Sequence, residues 1–114
     1  AEFNGTVSDS KGDLRKIIRI QKSSAHTLVA DDAGKGVGIS SGGVTVPQNV
    51  FSSGDAVTII NQSGSDQTIT QGSGVTMYNA ADASTGNRTL AGRGMATIWF
   101  NNGTSCYISG AGLS

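Results

Sequence analysis

An all-β domain is expected from this sequence: a small antiparallel β-sandwich or barrel-like knob built from hairpins, with an extended N-terminal arm. Three observations predict it. Seventeen Gly stand against one Pro, among many Ser, Thr and Asn and few Leu, Lys and Glu, a composition poor in helix formers and rich in turn formers. Short apolar runs alternate with polar residues at a period of two. Between the runs lie Asn-, Asp- and Gly-rich stretches of the kind at which a chain reverses. At 114 residues the chain fits one domain with a single core.

Taken in order, Ala1-Glu2-Phe3 reads as a remnant of cloning, residues 4–24 as an extended arm or linker, and 25–114 as a β-rich knob. Residues 4–13 are polar, contain Gly and show no core-facing period. Residues 14–20 (LRKIIRI) fit a short amphipathic helix, with Leu14, Ile17 and Ile18 on one face, and equally fit a strand. The span between Gly12 and Ser23-Ser24 is too short for an independently stable helix, which favours an extended segment. Its basic, apolar character suits an oligomer interface as well as a linker. Residues 25–30 (AHTLVA) form a β-type run, and Asp31-Asp32-Ala33-Gly34 is expected to make one helical turn or a tight turn. The stretch 37–46 alternates through Val37, Ile39, Val44 and Val46 across Gly42-Gly43 and stops at Pro47. Residues 56–60 (AVTII) and 67–70 (QTIT) enclose the loop 61–66 and are expected to form a second strand pair. Between 72 and 94, Val75, Met77 and Leu90 can reach the core, while 79–88 is a polar loop too long for a simple turn.

The most informative stretch is 95–109 (MATIWFNNGTSCYIS), which holds the only Trp, the only Cys and one of two Tyr. Asn101-Asn102-Gly103 provides the turn of a hairpin. A two-residue loop would set Trp99 beside Cys106. A three-residue loop with Gly103 in a bulge sets Phe100 opposite Thr104, Ile98 opposite Cys106 and Ala96 opposite Ile108. This second register gathers Ala96, Ile98, Phe100, Cys106 and Ile108 on a core face and leaves Thr97, Trp99, Ser105 and Tyr107 on the other. Trp99 and Tyr107 then become diagonal neighbours in an amphipathic aromatic patch. Gly54-x-Ala56-x-x-Ile59-Ile60-Asn61 also lines up with Gly94-x-Ala96-x-x-Trp99-Phe100-Asn101, a match that either duplication or two ordinary hairpins would produce.

Catalytic chemistry finds few candidates. His26 is the only His, and no Ser lies in a nucleophile-elbow context that could recruit it. Cys106 falls in the core alternation, where a thiol is shielded. Asp31-Asp32 has no third and fourth oxygen ligand at loop spacing, so turn and cap roles are expected and no metal site is assigned. Asp55, Asp66 and Asp82 sit among Gly and Ser as turn residues. Gly34-x-Gly36-x-Gly38 lacks the helix that would present N–H groups to a phosphate. Eight basic and eight acidic side chains cancel, leaving no electrostatic footprint for nucleic acid. No apolar run approaches the roughly 20 residues of a membrane helix, so no membrane insertion is expected. The single Cys rules out an internal disulfide. Four Asn-x-Ser/Thr triplets, at Asn4, Asn61, Asn87 and Asn102, follow from the composition. The residues retained as a ligand or subunit interface are Trp99, Tyr107, Thr97, Arg88 and Arg93. Aromatic rings among hydroxyl and amide groups suit a sugar ring and a subunit contact alike, and the two Arg suit either loop ion pairs or an acidic sugar.

The order TLVADDAGK (27–35), GGVTVPQNVFSSGDAVTIINQSGSDQTITQGSGVTMY (42–78), GNRTLAGRGMATIWF (86–100) and ISGAGLS (108–114), with VSDSKGDLR (7–15) before it, resembles a small module at the C-terminal ends of tailed-bacteriophage structural proteins, among them tail-fibre-like, appendage and decoration proteins. The resemblance implies a virion component rather than a metabolic enzyme, a β-rich tip or knob, and a homo-oligomer, most naturally a trimer, in contact with other virion proteins; no cofactor is expected. The function expected is host-surface attachment, with a glycan as one ligand class. The alternative is a capsid decoration or assembly domain without an external ligand.

Overall fold

The computed structural model describes Ser8–Asp9, Gly12–Asp13 and residues 17–114. In chain order the elements are β1 (Ser8–Asp9), β2 (Gly12–Asp13), β3 (Arg19–Lys22), β4 (His26–Thr27), a 3-10 turn (Ala30–Asp32), β5 (Gly36–Ile39), β6 (Val44–Val46), β7 (Ala56–Asn61), β8 (Gln67–Gln71), β9 (Thr76–Asn79), β10 (Arg88–Asn102) and β11 (Ser105–Leu113). β1 pairs with β2, and the other nine strands form one sheet curled into a nearly closed barrel. The chain is all-β, as its composition predicts. Residues 4–7, 10, 11 and 14–16 of the expected arm, the last three being part of the basic-apolar run, lie outside the described residues. The rest of that run is extended and leads into β3, so the sheet begins inside the stretch read as arm or linker.

Three successive passes of the chain each lay one strand on either arm of the sheet. β3, β5 and β7 are parallel neighbours on one arm, and β4, β6 and β8 are parallel neighbours on the other. β10 joins the arms by pairing antiparallel with both: Met95–Trp99 with β7 and Arg88–Leu90 with β8. β11 returns antiparallel along β10, and β9 adds in parallel to β11. The passes stack closely where the chain crosses between arms. At Gly43, φ is +72° and a Cβ would sit 2.5 Å from the Thr68 carbonyl oxygen, so only glycine lets this turn lie against β8.

This winding changes the expected pairing of the inner strands. Residues 56–60 and 67–70 are strands, but β7 and β8 do not bond to each other. Each pairs with a different half of β10, β7 with Met95–Trp99 and β8 with Arg88–Leu90, and the connection between them crosses from arm to arm. β5 and β6 are separated in the same way. The sequence match between 54–61 and 94–101 is not a structural repeat, because the aligned residues face opposite ways: Ala96 is buried and Ala56 outward, Phe100 is buried and Ile60 outward.

The terminal hairpin forms with the expected faces and a different register. Trp99 lies directly opposite Tyr107, Phe100 opposite Cys106 and Ile98 opposite Ile108, with a bulge between Phe100 and Asn102. The bulge absorbs Asn101 and leaves Gly103-Thr104 as the turn, secured by the Asn102 Oδ1, which accepts from Thr104 N–H at 2.8 Å and from Thr104 Oγ1 at 3.0 Å. A shift of two residues preserves the face of every side chain, which is why the burial pattern survives. β10 serves both arms because it bends at Gly92-Arg93-Gly94, where Arg93 has φ +65°. A Cβ on Gly94 would lie 2.9 Å from the Ala91 and Ala111 carbonyl oxygens.

The core fills the barrel from every strand of both arms except β3 and β4. Val37, Ile39, Val57, Ile59, Ile98 and Phe100 come from one arm, Val44, Val46, Ile69 and Leu90 from the other, and Met77, Cys106 and Ile108 from the closing strands; all are buried. Val75, Met77 and Leu90 reach the core as their spacing predicts. Phe51 covers one end, stacked on Phe100 at 4.3 Å between ring centroids. At the bend, buried Asn61 bonds β7 to β10. Its amide nitrogen donates to the carbonyls of Ser65, Leu90 and Ala91, and its oxygen accepts from Ser63 N–H and Oγ–H.

Candidate binding face

Alternation along β7, β10, β11 and β9 sends every second side chain outward, and the ladder registers line these up in rows. One row runs Ala56, Trp99, Tyr107, Tyr78. The next runs Thr58, Thr97, Ser109, and a third Ile60, Met95, Ala111. No side chain that β7, β9, β10 or β11 adds to these rows is charged; the Thr58 row ends, past Gly36 of β5, at Arg19 of β3. Trp99 is 43 % exposed, Tyr107 44 % and Met95 51 %, high values for large apolar groups on a rigid sheet.

The aromatic row is a leaning stack. Trp99 and Tyr107 ring centroids are 6.2 Å apart with planes at 41°, and Tyr107 and Tyr78 are 5.3 Å apart at 24°. These separations are close to the strand spacing of a sheet, so the rings rise from neighbouring strands and rest on each other. Trp99 and Tyr107 therefore come together as expected, and Thr97 joins them one row away, its hydroxyl 3.4 Å from that of Thr58. Tyr78 completes the row and escaped sequence reading. Its neighbour Met77 signals a core strand, and only the parallel pairing of β9 with β11 places Tyr78 beside Tyr107.

The two arginines do not join the rings. Arg88 donates from Nε to the Asn87 carbonyl at 2.9 Å and from Nη1 to Ser84 Oγ at 3.0 Å. Ser84 in turn donates its hydroxyl and N–H to Asp82, at 2.7 and 2.9 Å. These two hydrogen bonds, with the nearby Arg88 charge adding to them, hold the Asp82 carboxyl below its ordinary range. The result is a pinned loop whose Thr85 bridges to Tyr78, so Arg88 acts on the face only through that loop. Arg93 sits at the bend of β10 and donates to the Gln62 carbonyl at 3.0 Å, six residues along the strand from Trp99.

The remaining reactive groups are engaged elsewhere. His26 Nε2 lies 2.9 Å from Asp32 Oδ2, which also accepts the Val29 N–H at 2.9 Å, so this carboxylate fastens the 3-10 turn to β4. Cys106 is fully buried and burial pushes its thiol up to about 11. Among the described residues no group of three His, Cys, Asp or Glu is placed to hold a metal ion. Among the described residues no helix is long and apolar enough to cross a membrane. Comparison of the chain with protein-family models, with curated proteins and with solved structures returns no match.

Proposed function

We propose that this chain is a non-enzymatic structural module of a bacteriophage virion, a distal domain of a tail fibre or appendage that attaches to the host surface through its aromatic face. The observation that carries the reading is the row Trp99–Tyr107–Tyr78, held outward on a rigid sheet with hydroxyl groups beside it. The resemblance to C-terminal modules of phage structural proteins supports the setting. The engagement of His26 by Asp32 and the burial of Cys106 support a binding role over a catalytic one. Several copies on one particle, as in a homotrimer, would turn weak contacts into firm attachment through multivalency.

Binding of the purified chain to a panel of bacterial cells tests the reading. Trp99→Ala should abolish retention while circular dichroism and melting stay those of a folded β protein. Equal retention by the variant refutes it. The exposed aliphatic row, with Met95 outward beside Ile60, favours a second reading, a capsid decoration or assembly domain that packs on protein. That reading expects binding to virion proteins and no binding to cells.

A further inference from the structure

The two sides of the Trp99 indole differ. Towards β11 it meets Tyr107, while towards β7 and β5 its row continues only as Ala56 and then Gly34. Gly34 donates its N–H to the Ala56 carbonyl, which sets the two residues side by side, and a Cβ built on Gly34 would meet nothing within 4 Å. Gly54, two residues before Ala56, is equally open. The space beside the indole therefore has a floor of small residues and no side chain filling it. It is bounded further along β5, where Ile60 and Ile17 lie over Gly36. Thr58 and Thr97 present hydroxyls one row away.

Resting on the attachment reading, we infer that the free face of Trp99, above the Gly34–Ala56 shelf, is a stacking subsite for one pyranose ring of a neutral glycan. A pyranose offers an apolar C–H face to an indole and hydroxyl edges to polar neighbours, the two chemistries that this wall and the Thr58–Thr97 row supply. The ligand is neutral because the row from Gly34 to Tyr78 carries no charged side chain and the cation that ends the Thr58 row, Arg19 of β3, lies two strands beyond Thr58, so an acidic sugar stacked on Trp99 would lose its water without gaining a cation. The ring spacings of 6.2 and 5.3 Å are each comparable to the length of a sugar unit, so a longer chain can continue across Tyr107 and Tyr78.

Trp99 is the only Trp, so selectively excited tryptophan emission reports this one ring, and the Gly34 and Ala56 amides tell its shelf side from its Tyr107 side. The wild-type chain is titrated with cellohexaose, maltohexaose and chitohexaose as neutral probes and with an oligogalacturonate as the acidic one. Amide NMR follows Gly34 and Ala56. A neutral probe should change Trp99 emission and shift the Gly34 amide, and Ala56→Leu, which fills the shelf from an outward strand position, should weaken this by about tenfold or more. Arg93→Ala should leave it unchanged. The subsite is overturned by binding of the acidic probe alone, by no response to any neutral probe, or by binding indifferent to Ala56→Leu. An emission change that follows protein concentration without sugar also overturns it, since a second copy would then cover the shelf. Cell retention separates the two claims: cells held equally by wild type and Ala56→Leu sink the subsite and leave attachment standing, whereas sugar binding with no cell retention sinks attachment alone.

Discussion

Replacing Asn61 tests whether one buried amide holds the two arms of the barrel together at the bend. Asn61 is fully buried and its two amide protons are shared among the carbonyls of Ser65, Leu90 and Ala91 at 2.7, 3.0 and 3.1 Å. Its oxygen accepts from Ser63 N–H at 3.0 Å and Ser63 Oγ–H at 2.7 Å. In Asn61→Ala the bond to Leu90, the most deeply buried of these, leaves a carbonyl without a partner at a cost of about 1–3 kcal/mol. Water can reach the loop side, so the other bonds add a smaller net loss, and the total is about 3–5 kcal/mol. With a urea slope of about 2 kcal/mol/M the unfolding midpoint falls by roughly 2 M. Asn61→Asp sharpens the test because it keeps the shape and turns the donor into a carboxylate facing three carbonyl oxygens. Such a carboxyl has a folded-state pKa above its unfolded value. It supports the fold while protonated and loses that support as pH rises through about 4 and beyond. Asn61→Asp should therefore be less stable than Asn61→Ala at pH 7 and recover towards it at pH 4, measured by urea unfolding at both. A loss under about 1 kcal/mol for Asn61→Ala, or an Asn61→Asp penalty unchanged between the two pH values, would refute the reasoning.

Gly43→Ala and Gly54→Ala both force a side chain into positive φ, at +72° and +91°, but only at Gly43 does the new Cβ meet a neighbouring backbone oxygen. Both should lose about 1–2 kcal/mol of backbone energy, and Gly43→Ala should melt measurably lower, the excess reporting how tightly the passes stack. Phe100→Ala removes a buried ring stacked on Phe51 and should cost about 3–5 kcal/mol in chemical denaturation. Burial raises the Cys106 thiol from 9.0 to about 11, so the folded chain keeps a proton that the unfolded chain gives up between those values. Stability should fall by about 3 kcal/mol as pH climbs across that window, and Cys106→Ala should lack this component. Thiol reagents at pH 8 should modify Cys106 only after denaturant is added.

Local alternation made much of the fold legible in the sequence. The division of the 95–109 stretch into Ala96, Ile98, Phe100, Cys106 and Ile108 inside and Trp99 and Tyr107 outside depends only on a period of two, and it is the division observed. The register was not legible, because the bulge at Asn101 moves the pairing by two residues without disturbing either face. Pairing between distant segments was also hidden. A strand shows which faces it offers and not which edge it will meet, so the 56–60 and 67–70 runs look like a hairpin when read locally. Only the tertiary arrangement, with β10 long enough and bent enough to serve both arms, sends them to separate partners.

The candidate face divides along the same line. Trp99, Tyr107 and Thr97 were readable as one patch because they share a hairpin. Tyr78 was not, because it reaches the patch through a parallel pairing with no sequence signature, and nothing in the sequence separates Arg88 and Arg93 from the patch, since what holds them to loops is hydrogen bonds to Ser84 and to the Gln62 carbonyl. Composition and alternation by themselves determined that this chain forms strands, where its core residues lie and which rings face water, since those follow from hydrophobicity and local geometry. Only the tertiary structure decided which strands meet, how the outward residues form rows and where a shelf opens beside Trp99, because those depend on contacts between residues far apart in the chain.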